Sequence, residues 1–90
     1  MVERSCEADI FPYCMAHGIG VVPFSPIASG LLSGKVTRDT KFEGDDVRKS
    51  VPQLAEENLE ATQPIPDVVC QYAAVKGATN AQIALAWMLH

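Results

Sequence analysis

The sequence predicts an α/β fold, mostly helical with one strand, cut as an internal slice from something larger. Three observations carry that reading. Residues 19–24, Ile-Gly-Val-Val-Pro-Phe, are short, β-branched and apolar on both faces, the pattern of a strand covered on both sides. The other regular segments all read as helices. No second run is suited to pair with the strand, although its amides and carbonyls need neighbours.

Length and composition set the limits. Ninety residues, 48% hydrophobic and 20% charged, with six Gly and six Pro, make at most one small domain of ordinary globular character. No apolar run approaches the ~18–20 residues of a membrane span. The opening Met-Val-Glu-Arg-Ser-Cys-Glu has acids and no apolar signal region, so a cytoplasmic protein is the expectation. Eleven acids against seven bases give a net charge of −4, which argues against nucleic acid, whose binding needs a basic face. Cys6, Cys14 and Cys70 are odd in number and lack Cys-x-x-Cys spacing, so neither a disulfide framework nor a zinc site is indicated. They are expected to be small core residues.

The elements follow in order. Residues 7–17 form a short amphipathic helix whose regular part begins near Asp9 or Ile10, because Pro12 is tolerable only in a first turn. Ile10, Phe11, Cys14 and Met15 make its apolar stripe, and Gly18 sits where a left-handed cap ends it. His17, at the end of that helix, is explained by a favourable interaction with the helix C-terminus. The strand 19–24 follows, with Pro23 near its end or on its less-paired side. From Ser25 to about Ala55 no period is sustained, and so long an irregular stretch is either functional or a sign of an incomplete domain. Leu31 and Leu32 can seed one helical turn within it. A helix is predicted from Glu56 to Thr62, and another over 66–76 with Pro66 as its first residue and Ile65, Val68, Val69, Tyr72 and Ala73 as its stripe. Lys76-Gly77 ends it. Thr79-Asn80-Ala81-Gln82 is a capping box opening a last helix over 80–89, apolar nearly all round and so expecting cover on more than one side.

Chemistry is expected where the strand's C-terminal end runs into Phe24-Ser25-Pro26-Ile27-Ala28-Ser29-Gly30-Leu31-Leu32-Ser33-Gly34-Lys35, since α/β proteins bind ligands beyond the carboxyl ends of their strands. An aromatic followed by hydroxyls, glycines and a lysine suits a ligand part aromatic and part phosphate. Spacing alone favours the plainer reading, a polar turn with a solvent-exposed lysine. The phosphate-cradling Gly-x-x-x-x-Gly-Lys-Ser/Thr pattern fails at Ser29 and Val36. Lys35, Arg38, Lys41, Arg48 and Lys49 interleave with Asp39, Glu43, Asp45 and Asp46, so residues 35–49 net only +1 and read mainly as a solvated loop. Asp45-Asp46-Val47-Arg48 stands out within it, because Arg can clamp a phosphate with two hydrogen bonds. No catalytic constellation is visible.

Taken together, Asp9-Ile10-Phe11-Pro12-Tyr13-Cys14, His17 through Ile27, Gly30 through Lys35, Phe42 through Arg48 and Lys76 through Trp87 resemble the aldo-keto reductase superfamily across essentially the whole chain. The branch most similar is the bacterial and plant one that shares its pattern with potassium-channel β subunits. The resemblance implies a (β/α)8 TIM barrel, of which residues 1–90 correspond to an incomplete C-terminal section: a helix, strand seven, its long cofactor loop and the helices before strand eight. It also implies reduction of aldehydes and ketones by hydride transfer from NADPH. Carried over by residue, Phe24 takes the place of the aromatic that stacks on the nicotinamide, and Ser25, Pro26, Ile27, Ala28 and Ser29 match the segment along the pyrophosphate. Lys35 matches a phosphate-contacting lysine and Arg48, more loosely, a phosphate-side arginine.

The family's catalytic Asp, Tyr, Lys and His have no match here, and its site for the adenosine 2′-phosphate follows strand eight, beyond His90. Asn80 stands where proline is common. The chain is therefore expected to carry part of a cofactor cleft and no proton-transfer machinery. Carbonyl reduction is not expected of it alone, and little NADPH binding is expected of so partial a cleft. The rival readings are a non-catalytic protein that associates with a partner, or with itself, through exposed barrel-facing apolar surface, and, ranked last, an autonomous nucleotide-binding module.

Overall fold

Asp9 opens the first helix, α1 (Ile10–Ala16), its carboxylate accepting from the Ile10 amide at 2.6 Å in the computed structural model, which describes residues 1–90. A single 3₁₀ turn, Ser5–Glu7, precedes it. Pro12 is the third helical residue and breaks nothing, because the first amides of a helix have no partner within it. Gly18 takes φ +64°, the left-handed conformation that stops the helix. The His17 ring adds its own cap: Nδ1 lies 2.8 Å from the Tyr13 carbonyl oxygen, and the two rings stack at 4.0 Å between centroids. The stripe expected to be buried is not. Ile10, Phe11 and Met15 are exposed and Cys14 is half-buried, because the element set against α1 is the short Ser5–Glu7 turn, too small to cover the stripe.

Residues 19–24 depart most from expectation: the structure contains no strand. Ile19 donates to the Cys14 carbonyl, but from Gly20 to Phe24 no backbone amide finds a backbone carbonyl. Val22 and Phe24 are 95% and 99% exposed. The reason is the one that made the segment conspicuous. A strand owes its hydrogen bonds to neighbours, and the rest of the chain is helical or irregular.

The irregular stretch is organised by short turns. Ala28–Ser33 winds as a kinked 3₁₀ turn, the one anticipated at Leu31 and Leu32, and further turns cover Val47–Ser50 and Pro52–Leu54. Helix α2 (Glu56–Thr62) begins with acidic residues, which suit the positive end of its dipole. Helix α3 (Pro64–Lys76) starts two residues before the expected Pro66. Pro64 itself takes the first position, and Pro66 in the same first turn loses no helical hydrogen bond. Gly77 (φ +61°) ends α3 as expected. Helix α4 (Asn80–Met88) is opened by the full capping box: the Thr79 hydroxyl accepts from the Gln82 amide at 3.2 Å, and the Thr79 amide donates to Gln82 Oε1 at 2.8 Å.

Two small apolar clusters hold these pieces. Leu31, Val36, Leu54 and Leu59 form one, with Phe42 and Val51 packed against it. Leu32, Val69 and Ala84 form the other, joining the 28–33 turn to α3 and α4. Nine of the 90 residues are buried, and no cysteine is among them, so the reading of the cysteines as core residues fails. Of the α3 stripe only Val69 and Ala73 are fully covered, and in α4 only Ala84. The accessible surface, 6765 Å², exceeds by roughly a third the ~5,100 Å² of a compact monomer of this mass. The radius of gyration, 14.6 Å, likewise exceeds the ~12 Å of a compact 90-residue domain. Large apolar side chains of α1, α3 and α4, among them Met15, Val75 and Trp87, are left exposed.

Candidate functional site

The segment from Phe24 to Lys35 follows the irregular residues 19–23 and turns into the fold. Ser25, Ala28 and Ser29 have φ of 51°, 50° and 54°, three non-glycine residues in the left-handed region within five positions. Each costs on the order of 1–2 kcal/mol over its relaxed state, and such strain concentrates at functional segments. Local hydrogen bonds hold it. The Ala28 amide donates to the Ser25 carbonyl at 2.9 Å, the Ser29 amide to Ser25 Oγ at 3.2 Å, and the Gly30 and Leu32 amides both to the Ile27 carbonyl. Burial of Leu31 and Leu32 fixes the far end of the turn to the core.

Residues Phe24 through Ser29 and Lys35 thus lie along one anchored turn, and their exposures differ. The Phe24 ring is bare, residues 25–29 are half-buried, and Lys35 is exposed. The Lys35 ammonium has no carboxylate in ion-pair range, so its charge is free to meet an anion.

Arg48 is differently placed. Its Nε donates to both carboxylate oxygens of Asp46 at 2.9 and 3.0 Å, its Nη2 to Asp46 Oδ2 at 2.5 Å, and its guanidinium lies 4.5 Å from the centre of the Phe42 ring. None of its hydrogen bonds reaches residues 24–35. These bonds from Arg48, side chain first and backbone amide second, hold the Asp46 carboxyl down at about 2. The pair is a neutral clamp: Asp46 takes the Nε and Nη2 edge of the guanidinium and offsets its charge, which leaves the Nη1 donors and no net positive charge for a phosphate. Phe42 links the clamp to the Leu31 cluster.

No group of three or more His, Cys, Asp or Glu side chains is arranged to hold a metal ion. One feature went unread in the sequence. An apolar groove of about 730 Å³ lies among the N-terminal residues, α3 and α4, with Ile65, Val68, Tyr72 and Trp87 on its walls. None of the expected cofactor residues lines it. The α3 stripe and the all-round apolar α4 were its sequence signal.

Comparison with known proteins decides the family. The model of the Aldo/keto reductase family matches residues 1–90. The chain belongs to the aldo/keto reductase family. No solved structure matches it. The family is one of oxidoreductases that generally use NAD(P)H, and its fold is the TIM barrel. This aldo/keto reductase chain, by contrast, is helical and without strands, so its 90 residues do not themselves close a barrel. No helix is long and apolar enough to cross a membrane.

The residues fit a dinucleotide in part. A bare aromatic, a half-buried turn and an unpaired lysine follow one another in the order that a ring, a pyrophosphate and a charge would need. Arg48, neutralised by Asp46, does not fit as it stands.

Proposed function

We propose that residues 1–90 act as a C-terminal section of an NADPH-dependent reductase barrel, supplying part of its cofactor cleft and none of its proton-transfer groups. In that barrel residues 19–24 would be strand seven, gaining the backbone partners they lack here. The observation that carries the reading is the strained turn from Ser25 to Ser29, with the bare Phe24 ring at one end and the unpaired Lys35 at the other. Phe24 would offer a flat apolar face to the nicotinamide, a contact suited to aromatic rings. The backbone of residues 25–29 would follow the pyrophosphate, and Lys35 would hold a phosphate as a compact positive charge. NADPH, when bound, supplies the hydride for a carbonyl substrate in the intact enzyme. Cytoplasmic residence and likeness to the branch shared with potassium-channel β subunits belong to the same reading.

The test is a two-dimensional amide NMR spectrum of the 90-residue chain through an NADPH titration to millimolar concentration, beside an assay of aldehyde-dependent NADPH oxidation. The expected result is weak binding, with shifts confined to residues 24–35, and no turnover. Turnover by the clean chain overturns the absence of catalytic groups. A spectrum that NADPH leaves unchanged overturns the cofactor role of residues 24–35.

A second reading, a non-catalytic protein that associates through its apolar faces, is favoured by the surface in excess of a compact monomer. Sedimentation separates the two: concentration-dependent association with no response to NADPH supports the second reading against the first.

A further inference from the structure

We propose that Ser33 is a positioning residue for Lys35, acting through the backbone and not by touching the ligand. The inference rests on the cofactor reading above. The Ser33 hydroxyl donates to the Gly30 carbonyl at 2.6 Å, and the same oxygen accepts from the Lys35 amide at 3.3 Å. One side chain therefore ties both ends of the turn that precedes the lysine. A serine hydroxyl has a single proton, and here Gly30 takes it, so Ser33 has none left for a phosphate oxygen.

The surroundings make the tie effective. Leu32, immediately before, is buried against Val69 and Ala84. Gly34, immediately after, takes φ +76° with the Asn80 side chain lying against it. The backbone is fixed on both sides of Ser33, and the hydroxyl carries that order on to Lys35. Lysine needs such help, because its flexible four-carbon stem leaves the ammonium little direction beyond what its backbone supplies.

Binding of NADPH to the 90-residue chain, followed by amide NMR for wild type, Ser33→Ala, Ser33→Thr, Lys35→Ala and the Ser33→Ala/Lys35→Ala double variant, tests this. Ser33→Ala is expected to weaken binding about three- to tenfold, the net worth of a hydrogen bond, and Ser33→Thr, which keeps the hydroxyl, to restore it. In the Lys35→Ala background, Ser33→Ala is expected to have no further effect. Unchanged binding by Ser33→Ala while Lys35→Ala weakens it overturns the positioning role and leaves the cofactor reading intact. An equal loss in both backgrounds also overturns it, since Ser33 would then act apart from Lys35. No NADPH response in the wild type, or none lost in Lys35→Ala, overturns the cofactor reading and Ser33 with it. A ligand-free measurement guards against a variant that fails to fold: a Lys35 amide exchanging at the unprotected rate in the wild type overturns the proposal directly.

Discussion

Leu31 and Leu32 are neighbours in the chain but not in the core. Leu31, 1% exposed, packs with Val36, Leu54 and Leu59, whereas Leu32, 2% exposed, packs with Val69 and Ala84. The kinked turn that carries them sends successive side chains into different clusters, so the segment proposed to meet cofactor is pinned from two sides.

Truncating each leucine should therefore loosen a different part of the molecule. Leu31→Ala and Leu32→Ala should each cost about 2–3 kcal/mol, the lower part of the range for buried leucines, because each cluster is small. Hydrogen exchange should report the first mainly across residues 36–59 and the second mainly across α3 and α4. Equal loss of protection across the chain from either variant would mean that the clusters form one cooperative unit.

The Gly34 turn gives a second expectation. A Cβ built on Gly34 would lie 2.6 Å from Asn80 Nδ2, and its φ of +76° is costly for any side chain. Gly34→Ala should cost about 1–2 kcal/mol, mostly from the backbone, since the Asn80 amide can rotate aside. Urea unfolding measures it. Adding Asn80→Ala should recover only a small part, and full recovery would show the clash, not the left-handed backbone, to be the cause.

The Asp46–Arg48 clamp fixes a pH dependence. Hydrogen bonds from Arg48 hold the Asp46 carboxyl at about 2, below its ordinary 3.8. A carboxyl depressed on folding stabilises the turn above the ordinary value, and that contribution disappears as pH falls through about 2. NMR titration of the Asp46 carboxyl should give a midpoint near 2, and Arg48→Gln should return it toward 3.8. A wild-type midpoint at the ordinary value would mean that the clamp is open in solution, leaving Arg48 free to meet phosphate.

What the sequence made legible and what it hid divide on physical grounds. Gly18, Gly77 and the Thr79–Gln82 box ended or opened helices where expected, because a cap is decided by its own few residues. Pro64 and Pro66 were harder, since either is a tolerable first-turn residue and only packing chooses. The apolar run 19–24 is real, but a strand is a relation between segments, and no other segment of these 90 residues pairs with it. The opposed burial of Leu31 and Leu32 has no periodic signature. The Arg48 pairing was half legible: Asp46 stood two residues away, but nothing in the order of residues says that the guanidinium turns back toward it. Phe24 through Ser29 were marked by type, whereas their left-handed backbone became visible only in three dimensions.

The cap of α4 offers the last prediction, one that separates local from tertiary stabilisation. The box satisfies two amides at once, the Thr79 hydroxyl accepting from the Gln82 amide and Gln82 Oε1 accepting from the Thr79 amide. Elsewhere α4 is poorly covered, with Leu85 and Trp87 exposed and only Ala84 buried. A helix so lightly packed depends on its cap more than a buried one does. Thr79→Ala should cost about 1 kcal/mol and reduce the helical circular-dichroism signal, while Thr79→Ser should preserve both. If Thr79→Ala leaves helicity intact, α4 is held instead through Ala84 and the Leu32 cluster. The turn bearing Ser33 and Lys35 would then be the support of the helix, and not the reverse.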